Sequence, residues 1–408
     1  MTILFIGFWG LDDPLTTSTT FPNLAILAGS AEVAHIRLAT VERDGYVPTL
    51  NLPFDHQGKI SFRPLVSSSR GLLLATKAEE FMRFPRELAA MARATGATHV
   101  IGRGAMAGAL AYLTAQRTGL PFFVESFEPH ADYMLDSGVW SRYDPRYLFQ
   151  RFWEEREKNN AVGLMPVAEN YRRQLLREGR EAAQVVTVPC PVNLAAFCYQ
   201  PAAGRQVRER LGFAENAVVG VYLGKFGDIY YDQEAFELFR AAADFFGPRF
   251  RLIVLTPNPL PEVQAKLNKA GFAEANYFVT KAPHHEVPGY LSAADFAFAP
   301  IKPAPCRQYC SPVKVGEYWA CGLPVLLTEG VGDDSDIIRQ EPAGGAVFDL
   351  RFPASVPQAL AQIAAQMQVP GYRAQARALA ERHRSVDRAR EAYAQLLGVH
   401  TAEPAPVN

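Results

Sequence analysis

Long apolar runs are missing. No window of the 408 residues approaches roughly 18 uninterrupted apolar positions, so no membrane span is expected, while peripheral membrane contact stays open. A positive excess is missing too: 41 lysines and arginines face 42 aspartates and glutamates, a formal net charge of −1, and no basic run breaks the balance. Nucleic-acid binders carry such an excess, so nucleic acid is not an expected partner. The start, MTILFIGFWGLDDPL, has no basic residue ahead of its brief apolar stretch, and no signal peptide is expected from it. Cysteines are few and scattered, at 190, 198, 306, 310 and 321. Cys306 and Cys310 lie four apart without a second ligand pair nearby, so no zinc site is expected and reduced cytoplasmic thiols are the reading that remains. The tail TAEPAPVN reads as disordered.

What is present describes an ordinary globular protein, 49% hydrophobic and 20% charged, and long enough that two domains are expected. In the first half, short apolar strands alternate with helical stretches. TILFIGF, THVIG, PFFVES, AVGLMP and QVVTVP read as strands; 23–33, a stretch ending near Gly96, 105–117, 146–159 and 168–178 read as helices. Continuous apolar strands separated by helices indicate a parallel sheet covered on both faces. The segment 189–205, PCPVNLAAFCYQPAAGR, has three prolines and no clear period, and reads as a linker. The alternation then restarts with AVVGVYLG, a helix capped by Asp232, RLIVLTP, a helix to Gly271, NYFV, a short helix through Leu291, DFAFAP and AVFDL; 355–397 is almost wholly helical. Two doubly wound α/β domains imply an interdomain cleft, with ligands at the carboxyl ends of the strands.

The loops after those strands carry the candidates. Gly224 and Lys225, in LGKFGD, let the backbone approach an anion while the ammonium neutralises it, although surface lysines after strands are common. SPVKVGEYWACGLPVLLT reads as a nine-residue helix before a very apolar strand, with Ser311 as N-cap and Pro312 in its first turn. Free N–H groups at such a helix start attract anions. Lys314 stands in the first turn, where the dipole disfavours a cation, which makes an anion nearby more plausible. Glu317, one turn in, is suited to accept hydrogen bonds from two vicinal hydroxyls, or is simply an exposed carboxylate. Taken with Lys225, Ser311 and Lys314, a site gripping phosphates with cations and a ribose with a carboxylate is the better reading. Asp334-Ser335-Asp336 has the look of a metal motif, but precedes the helix DIIRQ and reads as its acidic cap.

SPVKVGEYWACGLPVLLTEGVGD resembles the donor-binding segment of family 4 glycosyltransferases, the retaining family with the GT-B fold. VPCPVNLAAF resembles that family's hinge, and VYLGKFGD and VPGYLSAADFAFAPI match it in position and character. The resemblance implies a first, acceptor-side domain over 1–197, a donor-binding domain over 198–379, and a final helix at about 380–400 packing back on the first. It implies that Lys225 contacts the donor diphosphate, that Glu317 holds the ribose, and that Ser311 with the amides from Pro312 through Val313 to Lys314 faces the phosphates. Tyr309 stands where the family's first glutamate would approach the transferred sugar, and 227–231 replaces its second basic contact. In the first domain Gly10, within the loop 8–21, together with Arg103, Glu125, Glu128 and His130, is expected on the acceptor or sugar side; His130 also reads as a structural residue.

The activity implied is retaining transfer of a sugar from a nucleotide-diphosphate sugar to a glycan or other hydroxyl acceptor, in the cytoplasm and in bacterial-type polysaccharide or glycoconjugate synthesis. His130, Lys225 and Glu317 would be central to catalysis, with no metal or other cofactor. Charge builds on the departing diphosphate, and fixed cations and helix amides would stabilise it. The alternatives are a nucleotide-sugar epimerase of the same fold and a degenerate nucleotide or glycan binder.

Overall fold

The computed structural model describes residues 1–13, 15–43, 47–67 and 73–400. The chain divides into two compact units: Met1–Cys190 together with the chain from Val386 onward, and Pro191–Ser385. The tail 401–408 lies outside the described residues.

The first unit is built on β1 (Thr2–Gly7), β2 (His35–Glu42), β3 (Ile60–Phe62), β4 (Leu65–Val66), β5 (His99–Arg103), β6 (Phe122–Phe127) and β7 (Gly163–Pro166). The order is β3-β2-β1-β5-β6-β7, with β4 beside β2, and every pair is parallel. Ile3 to Ile6 of β1 are fully buried, as a strand covered on both faces requires. The connections are α1 (Phe21–Gly29), α2 (Leu73–Thr95), α3 (Ala105–Thr118), α4 (His130–Asp136), α5 (Pro145–Asn160) and α6 (Glu169–Arg177). Ahead of α1, Thr16–Thr20 forms a turn of π-helix; residue 14 of that loop lies outside the described residues.

The second unit holds α7 (Pro201–Arg210), β8 (Val218–Leu223), α8 (Gln233–Phe246), β9 (Phe250–Leu255), α9 (Leu260–Lys269), β10 (Tyr277–Thr280) and α10 (Val287–Ala293). It continues with β11 (Phe296–Ala299), α11 (Val313–Ala320), β12 (Val325–Thr328), α12 (Asp334–Gln340), β13 (Gly345–Phe348), α13 (Ser355–Met367) and α14 (Tyr372–His383). Its parallel sheet runs β10-β9-β8-β11-β12-β13. Strand order reverses between β8 and β11 here, and between β1 and β5 in the first unit. Such switch points leave a crevice at the carboxyl ends of the strands.

Three expectations need correcting. QVVTVP is not a strand: it forms one bridge, Leu164 to Val185, with Val186 N and Val188 N donating to Leu164 O (3.0 Å) and Pro166 O (2.8 Å). Pro166 has no N–H to return the intervening bond, so the ladder stops. The Pro-rich stretch 189–205 is not all linker, because Pro201 takes the first position of α7, where its missing N–H costs nothing. Finally, β2 was not evident in the sequence, since HIRLATVE mixes charged with apolar side chains although five successive residues, Leu38–Glu42, are buried.

The last helix, α15 (Asp387–Leu397), belongs to the first unit, where Ala389, Ala392, Tyr393 and Leu397 join a core with Ile3, Phe5, Leu24 and Leu27. Its Tyr393 hydroxyl donates to the buried carboxylate of Glu125 at the end of β6. Tyr393→Phe keeps the ring packing and removes one donor from that carboxylate. It should lower stability by about 1–3 kcal/mol, read as a lower unfolding temperature in calorimetry; an unchanged temperature would mean the bond contributes nothing.

Candidate active site

In the second unit the sequence candidates gather where β8 ends and α11 begins. Tyr222, inside β8, donates its hydroxyl to Lys225 O, and Asn258 Oδ1 accepts from Phe226 N at 3.0 Å, which fixes the turn 224–226. Tyr318 of α11 accepts from the last amide of β8, Leu223 N, at 2.8 Å, and Trp319 Nε1 donates to Gly344 O at 2.9 Å. The helix is thereby tied to the end of β8 on one side and to the turn ahead of β13 on the other.

The Lys314 ammonium lies in the space a side chain at Gly224 would need, 2.3 Å from where a Cβ would stand. Only glycine fits there, and its φ of +151° is one that other residues rarely adopt. The ammonium sits 4.3 Å from the centre of the Tyr230 ring and donates to the Tyr230 hydroxyl at 3.2 Å. No carboxylate among the described residues is within ion-pair distance of it. Burial pulls the Lys314 amine down to about 8; Glu317 opposes the shift and Lys225 adds to it. Lys225 itself turns outward, with Nζ 2.6 Å from Asp228 Oδ2 in an exposed pair.

Glu317, on the second turn of α11, is buried, and its Oε1 lies 3.1 Å from Nε2 of the exposed His284. That hydrogen bond raises the His284 imidazole above its ordinary value. His284 lies in a short turn after β10, with its ring 5.1 Å from that of Phe197. Tyr230 and His284 are the two neighbours that sequence reading missed. Nothing in their local sequence marks them, because both meet α11 only through the fold. Tyr309 closes a 3-10 turn, Pro305–Tyr309, ahead of the helix and is half-buried.

The helix start differs from expectation. α11 is eight residues long, its N-cap is Pro312, and Ser311 does not cap it. The Ser311 hydroxyl instead accepts from Arg384, whose other terminal nitrogen pairs with the fully buried Asp334. Pro312 has no N–H, so the donors at the helix start are those of Val313 and Lys314. Asp334 is therefore an ion-pair partner rather than a cap. Burial pushes its carboxyl up to about 6 even beside Arg384. Asp336 faces away from it, pairing with Arg339 at 2.8 Å.

In the first unit, Arg103 and Glu125 are brought to each other instead of being left to meet a ligand. Arg103 Nη1 lies 2.9 Å from Glu125 Oε2, Asn23 Nδ2 donates to the same oxygen at 3.0 Å, and Tyr393 occupies Oε1. Glu125, a candidate for binding hydroxyls, is thus buried and committed to internal partners. Gly10 lies against the buried Glu42, whose Oε2 would be 2.8 Å from a Cβ there, while Leu11 N donates to Oε1 at 2.9 Å. His130 opens α4, half-buried between Tyr133 and Trp140, with Nδ1 3.9 Å from Glu128 Oε1. Burial lowers its pKa, but the Glu128 carboxylate outweighs that and leaves it above the ordinary value.

Comparison with known proteins places both units. Residues 31–191 match the glycosyl transferase 4-like domain, and residues 220–367 match the glycosyl transferases group 1 model. No curated protein sequence matches the chain. Among solved structures, HepE of Anabaena in complex with UDP is 13% identical, with a TM-score of 0.68 over 98% of this chain and 100% of that one. Sucrose-phosphate synthase of Thermosynechococcus elongatus is 17% identical, with a TM-score of 0.67 over 97% and 96%. WaaG, a glycosyltransferase involved in lipopolysaccharide biosynthesis, is 16% identical, with a TM-score of 0.66 over 97% and 100%. At these identities the likeness concerns the fold, while the two domain matches, which together span about three quarters of the sequence, carry the family. This chain belongs to the family 4 glycosyltransferases and has their GT-B fold.

Proposed function

We propose that the protein transfers a sugar, with retention of configuration and without a divalent metal, from a nucleoside-diphosphate sugar to a hydroxyl of a glycan or other acceptor, in polysaccharide or glycoconjugate synthesis. The observation that carries this is Lys314: a cation held under Gly224, next to Lys225, with no carboxylate partner among the described residues. A half-buried ammonium beside another cation is costly, and a diphosphate arriving from solution offsets that cost. The Lys225–Asp228 pair is exposed and contributes roughly 0–1 kcal/mol, so Lys225 can exchange it for a phosphate at little expense. The amides of Val313 and Lys314 add donors at the helix start. Glu317, one turn on, is oriented by His284 and suited to two ribose hydroxyls.

Support also comes from the relatives: HepE has been solved with UDP, with UDP and glucose, and with UDP-glucose, and WaaG acts in lipopolysaccharide biosynthesis. In the reaction the bond from the anomeric carbon to the diphosphate breaks, and negative charge grows on the leaving oxygen. Lys225, Lys314 and the helix amides are placed to meet that charge, which is the task a metal performs in other transferases. His130, Glu128 and Gly10 are assigned to the acceptor or sugar side. Tyr309 removes a carboxylate from the sugar end, leaving recognition of the donor sugar to other groups.

Three measurements test this reading. In calorimetric titration, Glu317→Ala should weaken both nucleoside and nucleoside diphosphate roughly ten- to a hundredfold, and Glu317→Gln less. Lys225→Ala should weaken only the diphosphate. If Glu317→Ala binds both ligands like the parent, the ribose assignment is wrong.

A second test uses pH. Folded Lys314 loses its proton near 8, against an ordinary value of 10.5. Stability of the unliganded protein should therefore rise, through this group, as pH climbs across that window, because the unfolded chain binds the extra proton. Diphosphate binding needs the ammonium, so it should weaken over the same window, by about tenfold per pH unit at the steepest. Lys314→Met should flatten both slopes.

Third, transfer measured in excess chelator should persist. Loss of activity with rescue by manganese would overturn the metal-free reading.

A further inference from the structure

Helix α5 is inside out. Its inward face is largely polar: beside Tyr147, the buried residues are Gln150, Glu154 and Glu157, with Gln150 Nε2 donating to Glu154 Oε1 at 2.8 Å. Its outward face is apolar, with Leu148 55% exposed, Phe152 46% and Phe149 39%. The neighbouring α2 continues that face through Phe81, whose ring lies 4.9 Å from that of Phe149 and 5.6 Å from that of Trp153, and through Met82, 59% exposed. Large contiguous apolar patches on a surface mark a binding face.

Charge selects the occupant. Between residues 142 and 160 the cations are Arg142, Arg146, Arg151, Arg156 and Lys158, and the outward acids are only Asp144 and Glu155. The other two acids, Glu154 and Glu157, face inward, away from the arginines, and burial raises the Glu154 carboxyl to about 8 and that of Glu157 well above its usual range. This local excess stands out in a chain of net charge −1. The Arg156 guanidinium lies 3.4 Å from the centre of the Phe152 ring, its aliphatic stem on the aromatic and its head at the edge of the patch. A second copy of the chain would bring the same arginines to the face, which disfavours a symmetric dimer.

We propose that α5, with the adjoining part of α2, is a docking face for an anionic lipid surface, lying in the plane of the interface with its aromatic side chains inserted and its arginines among the headgroups. Helices with aromatic and leucine side chains on one face and arginines beside them partition in this way, and each basic residue near a charged membrane adds about fivefold in affinity. The face lies wholly within the first unit and is independent of the donor-site assignments.

The test is co-sedimentation of the full chain with vesicles of phosphatidylglycerol and phosphatidylcholine in equal proportion, and with vesicles of phosphatidylcholine alone. The protein should bind the anionic vesicles, bind the neutral ones far less, and be released by salt. The combined variant Leu148→Ser, Phe149→Ser, Phe152→Ser should lose at least about tenfold in partitioning, with an unchanged circular dichroism spectrum showing that the fold is kept. Arg151→Gln with Arg156→Gln leaves the apolar side chains in place and should cost about fivefold per residue, on anionic vesicles only. Absence of parental binding, parental-level binding by either variant, or a parental dimer that the serine variant dissociates would each overturn the proposal.

Discussion

The last amide of β8, Leu223 N, bonds not to a strand but to the phenol of Tyr318 on α11. On that bond the placing of α11 against β8 depends. It joins the end of a strand to a helix residue 95 positions later, and so lets Lys314 reach back under Gly224. Tyr318 is fully buried, and burial keeps its hydroxyl protonated well beyond the ordinary range. The remaining groups are arranged around this join: the Tyr230 ring against the ammonium, His284 on the Glu317 carboxylate, and Arg384 holding the Ser311 hydroxyl just outside the helix.

Much of this architecture was legible in the chain. Apolar strands such as TILFIG and FRLIVL, bounded by helical periods, indicate parallel sheets because both faces of such strands must be covered. The short helix of 313–320 announces itself through Pro312 before it and Gly322 after it. Local pattern fails where a contact spans distant sequence. Ser311 has the chemistry of a cap, yet Arg384, 73 residues later, takes its hydroxyl. Glu125 sits at a strand end, where ligands bind, yet a helix from the far end of the chain covers it. Asp334 precedes a helix, where acids favour the terminus, yet a buried arginine claims it. In each case the local rule holds, and tertiary packing outbids it.

The inversion of α5 belongs to the same lesson. Its hydrophobic period can be read from PRYLFQRFWEEREKNN, but not which side of the helix faces the protein. Burial settles that the acids lie inside and the phenylalanines outside. Burial shifts both carboxyls upward, toward the neutral form, which costs less to bury than a carboxylate.

The depressed Lys314 amine also makes the empty and the occupied site chemically different objects. Burial pulls that amine down to about 8, toward its neutral form, and a neutral amine is a nucleophile toward carbonyl and acyl groups. A bound diphosphate would hold the proton in place and silence that reactivity. Lys314 is thus a lysine to which burial, rather than a neighbouring base, gives nucleophilic character.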